Sequence, residues 1–449
     1  LEKKILNRVG RRIMPVLLLG LFISYVDRAN IGVLAEPISN DLGLTASTFG
    51  LAAGLFYIGY LLFEVPSNMA LARFGARVWI ARIMVTWGIV TMAMATIQTD
   101  WSLNSMRMLL GAAEAGFYPG VILYLTFWFP QRVANRGFSI LQIGIPVSLA
   151  VANALTSWML GMDGVAGLAG WRWVFLLQGL PAVLLGAYIF LFLPSRPSEA
   201  KWLDPAEQAY LEGQVANQGS AASHEARYVP QALCKPFVWV FSLLWFTINI
   251  GFWSLTYFLP TIVRERFEVE AAQSGLLASI PWAFTALAVI FVLWSTSRTG
   301  DRKWHLLIAL AVAGLGLLTA ANTQSPWLAL AGLSLGAAGM QSVVPVFWTM
   351  TSIVFSGLFA AIAIAVVNSL GNISGLVGPW LSGVLQDATA SSQTTLTIMA
   401  CSLFFSAAFA FVLGGYTDKV AIRRGEASNV LLPTQKISVT AQSSRGGER

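Results

Sequence analysis

Charge is scarce in this chain. Only 11% of its 449 residues are Asp, Glu, Lys or Arg, where a soluble domain carries about 25%. Histidine and cysteine are scarcer, two of each: His224, His305, Cys234 and Cys401. So few and so scattered, they supply neither a disulfide scaffold nor a ligand cluster for zinc or an iron–sulfur centre. The composition also excludes a disordered tail, a collagen and a coiled coil. What fills the chain is apolar, 56% by the usual set. That leaves an all-α polytopic membrane protein. A spanning helix needs about 20 apolar residues, so twelve would use roughly 240.

Apolar runs at 13–34, 47–71, 79–97, 102–126, 137–160, 172–193, 236–259, 275–297, 304–322, 326–350, 357–385 and 393–416 predict twelve transmembrane helices. The polar start Leu1-Glu2-Lys3-Lys4 leads into a run that holds Asp27 and Arg28 and has no small-residue cleavage site, which argues against a removable signal peptide. Twelve spans put both termini on one side. The segments on that side hold 23 of the 28 Lys and Arg, the opposite loops only Arg172, Arg264 and Arg266, and Arg28 and Arg107 lie inside runs. The positive-inside rule therefore predicts cytoplasmic termini. The net charge of +7 is a topology signal, and no nucleic-acid partner is expected.

The long polar stretch 194–235 divides the chain into an N-terminal six-helix bundle (1–193) and a C-terminal one (236–416), followed by a cytoplasmic tail (417–449) expected to be disordered. The linker opens with Pro194-Ser195-Arg196-Pro197, a helix stop. Asp204-x-x-Glu207 then predicts a capping box on a short helix. The halves look like copies. Arg73-Phe74-Gly75-Ala76-Arg77 and Arg298-Thr299-Gly300-Asp301-Arg302 are 225 positions apart, as are Gly50-Leu51 and Gly275-Leu276, and Pro37 and Pro260 each follow the first span of a half. Pseudo-symmetric halves with a site between them at mid-membrane are the architecture of secondary transporters.

Over nearly its full length the chain resembles the major facilitator superfamily. Asn68-x-x-x-Ala72-Arg73-Phe74-Gly75-Ala76-Arg77 is similar to that superfamily's loop G-x-x-x-D-R-x-G-R-R between spans two and three. It departs at the first Gly, the Asp and one Arg, so the charge-relay role of that Asp is not carried over. Tyr25-Val26-Asp27-Arg28-Ala29-Asn30-Ile31-Gly32, Phe63-Glu64-Val65-Pro66-Ser67-Asn68, Gly111 to Gly120 (GAAEAGFYPG) and Trp202-Leu203-Asp204-Pro205-Ala206-Glu207 resemble the anion:cation symporter family. Within it they are closest to the bacterial tartrate, phthalate and hydroxyphenylacetate permease group. The resemblance implies an inner-membrane location, neighbouring spans one and four, and uptake by alternating access.

Five ionisable residues lie well inside runs: Asp27, Arg28, Glu64, Arg107 and Glu114. A charge at mid-bilayer costs about 2.5–3.5 kcal/mol even on insertion scales, so these residues should face an interior or a wet cavity. Glu114 is central in span four, and Arg107 lies on the same helical face roughly 10 Å nearer the outside. Arginine matches a carboxylate bidentately, and a carboxyl in a poorly hydrated cavity can load and unload a proton. Protonating an acid would release its Arg to a substrate carboxylate. The plainer reading is that Asp27–Arg107 or Arg28–Glu114 are static pairs that fix helix packing. The resemblance implies Arg28 as the substrate-carboxylate ligand, Asp27 and Glu114 as proton-coupling acids and Arg107 as their electrostatic partner. It also places Tyr25, Tyr60 and Gln142 as cavity contacts, although Tyr60 suits plain packing equally. Glu64 reads as a gate or loop anchor, with Arg73, Gly75 and Arg77 in the loop itself.

The C-terminal half has no charge inside a run, but Asn249, Gln341, Asn368 and Asn372 fall near mid-span, with Trp253, Tyr257 and Trp348 beside them. Such amides serve interhelical hydrogen bonds as readily as ligands. As a group they suggest a small hydroxylated or aromatic carboxylate. The expected function is proton-coupled symport of a small organic acid by a monomer in contact with membrane lipid, with no cofactor beyond the coupling proton. An exchanger or exporter on the same scaffold and a substrate-sensing receptor stay open. An enzyme is not expected: His305 has Asp301 four residues before it, yet the basic loop offers no nucleophile.

Overall fold

The computed structural model describes residues 2–129, 131–216, 233–355 and 358–423. Among them all regular structure is helical, and twelve helical stretches are long and apolar enough to cross a membrane. The α-helices are α1 (Glu2–Val33), α2 (Ala35–Leu42), α3 (Ala46–Phe74), α4 (Ala76–Ala93), α5 (Asp100–Glu114), α6 (Phe117–Thr126), α7 (Gln131–Leu160) and α8 (Gly170–Phe192). They continue through α9 (Pro205–Ala216), α10 (Pro236–Phe267), α11 (Ala271–Thr299), α12 (Lys303–Asn322), α13 (Pro326–Val354), α14 (Leu358–Asn372), α15 (Ser374–Thr389) and α16 (Ser392–Arg423). Spans four and eleven are each made of two pieces, α5 with α6 and α14 with α15. The remainder of the linker, 217–232, and the tail 424–449 lie outside the described residues.

Three departures from the apolar runs have physical causes. Helix α1 begins well before residue 13 because its first turns bury a stripe of Ile5, Val9 and Ile13 at four-residue spacing. That segment docks on the linker: Arg8 pairs with Glu207 at 2.8 Å, and Arg12 lies 5.0 Å over the Trp202 ring. The Glu207 half of the capping box is present, with Asp204 N–H donating to Glu207 Oε2 at 3.2 Å. Span four breaks at Ala115 and Gly116, where Gly116 adopts φ +85° and a Cβ would collide with Ser67. Span eleven is interrupted at Ile373, and Pro379 inside α15 withdraws an N–H from the ladder a turn and a half later.

The halves meet through glycines. A Cβ on Gly50 (α3) would collide with the carbonyl of Pro379 (α15), and one on Gly383 (α15) with that of Ala46 (α3). Gly275, in α11, packs instead against the side chains of Ser157 and Val33, with no room for a Cβ. Gly50 and Gly275 occupy equivalent places in the repeat, and each brings its half's second span against the other half. The same end of the molecule carries the Arg264–Glu36 ion pair across the halves. There the Asp387 carboxylate accepts from Ala46 N–H at 3.0 Å and Ser47 N–H at 2.9 Å, so a residue of one half caps a helix of the other. A carboxylate answers both the orphan donors and the positive end of the helix dipole.

This cap makes a testable latch. Asp387→Ala should weaken the seal by about 1–3 kcal/mol, the usual loss for charged hydrogen bonds. A cysteine placed at Ala52, with Cys234 and Cys401 replaced, should then react several-fold faster with an impermeant thiol reagent from that end. An unchanged rate would show that closure is carried elsewhere.

Candidate functional site

A cavity of about 120 Å³ lies between the halves, beyond the sealed end. By the measure in which a water needs about 10–15 Å³, it has room for roughly eight to twelve waters, which suits a small solute. One wall is the N-terminal half, with Tyr25 and Arg28 from α1, Tyr57, Tyr60 and Glu64 from α3, Tyr118 from α6, and Gln142 from α7. Facing them are Trp245, Asn249 and Trp253 from α10, Gln341 and Trp348 from α13, and Asn368 and Asn372 from α14. The sequence-derived candidates Arg28, Tyr25, Tyr60, Gln142, Asn249, Trp253, Gln341 and Asn372 are all brought to this one cavity. Glu64, read as a gate residue, faces it as well. Arg73, Gly75 and Arg77 are not part of it. They form the turn between α3 and α4, where Gly75 takes φ +87° and Arg77 N–H donates to Ser195 Oγ at 3.4 Å.

Asp27, Arg28, Glu64, Arg107 and Glu114 are the charged side chains buried to 9% exposure or less among the described residues. Arg28 is the one with both a partner and access. Its Nε and Nη2 donate to Glu114 Oε1 at 2.8 and 2.7 Å, and Ser24 Oγ donates to the same oxygen at 2.5 Å. Three rings surround the guanidinium, Tyr25 at 5.5 Å and Phe56 and Tyr60 at 5.1 Å each. Cation–π attraction of this kind holds a desolvated Arg in place without a second anion. Glu114 is fully buried behind the wall, and its Oε2 has no hydrogen-bond partner. The break at Ala115 follows directly, so Glu114 is the last residue of α5.

Asp27 sits apart from this pair. Neighbouring residues on a helix point about 100° away from each other, so Arg28 faces span four while Asp27 faces span three. Its Oδ2 accepts from Trp87 Nε1 at 2.6 Å and Thr91 Oγ1 at 2.5 Å, and Asn30 Nδ2 donates to Oδ1 at 3.3 Å. Asn30 continues to Gln178, which donates to Thr156. The result is a polar chain across spans one, three, five and six, in which Asn30 Oδ1 stays without a partner. Neither Trp87 nor Thr91 was among the sequence candidates. A Trp and a Thr four apart give no signal until a carboxylate is known to lie opposite.

Arg107, expected as the electrostatic partner of the two acids, acts on Asp27 at longer range and makes no contact ion pair with either: its Nη2 donates to the Ala53 carbonyl at 3.2 Å and its guanidinium lies 5.2 Å over Phe56. The cause is backbone proximity. Gly59 and Gly111 let α3 and α5 touch, since a Cβ on either would collide with a carbonyl of the other helix. Span two thus offers Arg107 a carbonyl at close range. Trp245 was also missed, although Trp245, Asn249 and Trp253 form a stripe at four-residue spacing. His305 does have a hydroxyl neighbour, Ser295 Oγ at 2.8 Å from Nε2, with Asp301 at 3.3 Å from Nδ1. This group lies at the loop between α11 and α12, away from the cavity.

Comparison with known proteins agrees with this architecture. A protein of Agrobacterium vitis named "Putative tartrate transporter" is 37% identical over 424 residues, covering 94% of each chain. A "Quinolone resistance transporter" of Acinetobacter baumannii is 35% identical, covering 92% of this chain and 95% of its own. Among solved structures, a bacterial homologue of the human lysosomal transporter Spinster, inward-facing and unoccupied, superposes with a TM-score of 0.75 at 19% identity, covering 91% of this chain and 98% of its own. The relatives are transporters, not enzymes. The description "Major Facilitator Superfamily" matches residues 17–379, and with twelve spans in two pseudo-symmetric halves around a central cavity, the chain belongs to that superfamily of secondary transporters.

Proposed function

We propose that this transporter carries a small organic carboxylate into the cell together with protons, acting as a monomer in the bacterial inner membrane with both termini cytoplasmic. The observation that carries the reading is Arg28: a cation on the cavity wall, paired with one carboxylate whose second oxygen is unsatisfied. A proton on Glu114 would weaken the pair and free the guanidinium for a substrate carboxylate, which matches its fork geometry. The Agrobacterium relative named for tartrate supports a carboxylate substrate. With the basic loops on the cytoplasmic side, the sealed end faces outward and the cavity belongs to an inward-facing state. A second reading, export, is favoured by the relative named for quinolone resistance. Span five opposes it, reading Gly144-Ile145-Pro146-Val147-Ser148-Leu149 in place of the G-P-x-x-G-G pattern of drug/proton antiporters.

The test is uptake of labelled acids into proteoliposomes under an inward proton gradient. Accumulation should collapse with a protonophore, whereas exchange that ignores the gradient would favour the exchanger. Arg28→Ala should weaken carboxylate binding about 10- to 100-fold, the equivalent of losing charge-assisted hydrogen bonds worth about 1.5–3 kcal/mol. Binding at the wild-type level would remove Arg28 from the site. Glu114→Gln should abolish gradient-driven accumulation and still permit exchange, and surviving accumulation would make Glu114 structural.

Asp27 requires a separate test, because its donors hold it away from the cavity. Trp87→Phe removes one donor without touching the cavity wall. It should lower stability by about 1–3 kcal/mol and leave substrate affinity in place. If it also alters the proton dependence of uptake, Asp27 takes part in coupling; if only the thermal midpoint falls, Asp27 serves to pack spans one and three.

A further inference from the structure

Of the acids in the buried layer, one reaches the cavity. Glu114 is fully buried behind the wall, and Asp27 spends both oxygens on Trp87, Thr91 and Asn30. Glu64 lines the cavity, and among the described residues it is the only acid that does. Helix α3 runs from the sealed end toward the turn at Gly75, so Tyr57, Tyr60 and Glu64 follow one another along the wall, away from the seal. Glu64 comes last, about 10 Å beyond Tyr57 by the helix rise.

Its neighbours tie it to the Arg28–Glu114 pair. Tyr60 lies one turn before Glu64 on the same helical face, and its ring stands 5.1 Å from the Arg28 guanidinium. Arg28 acts electrostatically on Glu64, and Glu64 and Glu114 both act on Tyr60. The other titratable groups on the cavity wall are phenols: Tyr25 from α1, Tyr57 from α3 and Tyr118 from α6. Helices α10, α13 and α14 present indoles, amides and apolar groups. The free oxygen of Glu114 has neither a hydrogen-bond partner nor exposure. A proton released there needs another group to carry it to water.

Resting on the symport reading above, we infer that Glu64 is the proton port of the cavity, the group that takes the proton of Glu114 and passes it to the cytoplasm. The Glu114 carboxyl loses a proton, the Glu64 carboxylate gains it by way of cavity water, and Glu64 returns it to water on the open side. Glu114, ionised again, recloses on Arg28 and bars the return of the substrate carboxylate. Net uptake requires this proton release. Exchange of one substrate molecule for another does not, because Glu114 can keep its proton throughout.

The test uses the full chain in right-side-out proteoliposomes, whose lumen stands for the cytoplasm. Labelled tartrate, gluconate and benzoate are offered, and the acid that wild type accumulates is the probe. Glu64→Gln should lower the ratio of net uptake to exchange by about tenfold; a positioned acid or base typically contributes 10²–10⁴-fold, and cavity water replaces part of it. Lumenal imidazole, small enough to take the proton directly, should restore part of the lost net uptake. Glu64→Asp, which keeps a carboxylate, should hold the ratio nearer that of wild type. A measurement that needs no variant is modification of wild type by a water-soluble carbodiimide, which should mark Glu64 and spare Asp27 and Glu114 in peptide mass spectrometry. A gate would slow net uptake and exchange alike. A ratio unmoved by Glu64→Gln, a loss that imidazole does not relieve, or an unmarked Glu64 overturns the port and leaves the symport reading intact. Wild type that accumulates none of the acids in a protonophore-sensitive manner overturns the symport reading itself.

Discussion

A guanidinium at the middle of a membrane-spanning bundle has to be answered, and the centre of this molecule is arranged around the answer to Arg28. Water would solvate it at little cost; an apolar bundle does not. The protein supplies one oxygen of Glu114, the faces of Tyr25, Phe56 and Tyr60, and an open side toward a cavity. The pair is incomplete, since Arg28 retains donors and Glu114 retains an oxygen. A complete ion pair would be a packing element. An incomplete one leaves guanidinium donors free on the side that faces the cavity.

Much of the surrounding construction serves that pair. Span one places Ser24 and Arg28 a turn apart on one face, so both reach Glu114. Span four stops helical geometry immediately after Glu114, at Ala115 and Gly116. Glycines 59 and 111 pull spans two and four together, which brings Phe56 against both Arg28 and Arg107. Asp27, one residue from Arg28, is turned by the helix into a separate set of donors. Two adjacent ionisable residues thus enter different environments, and their chemistry need not be shared.

The second organising feature is the seam between the halves. Close backbone contacts at Gly50 and Gly383, the packing of Gly275 on the Ser157 and Val33 side chains, and the Asp387 cap gather at one end of the molecule. The seam combines these close approaches with side-chain contacts between the halves, the Arg264–Glu36 ion pair and the edge-to-face Phe49–Phe258 rings.

The twelve spans and their arrangement in two similar halves were legible in the sequence because each follows from apolar run length or from repeated motifs, and those are properties of the chain in one dimension. The same holds for the five buried charges, which stand out wherever charge is rare, and for the amides of the C-terminal half. Pairing is a different kind of information. Arg28 chooses Glu114, Asp27 chooses Trp87 and Thr91, and Arg107 turns to the Ala53 carbonyl because helix–helix distances set by glycines and by one broken helix determine which groups come within 3 Å. Sequence alone determined which residues had to be buried and on which span; only tertiary structure decided which of them met, because hydrogen-bond geometry depends on the approach of helices far apart in the chain.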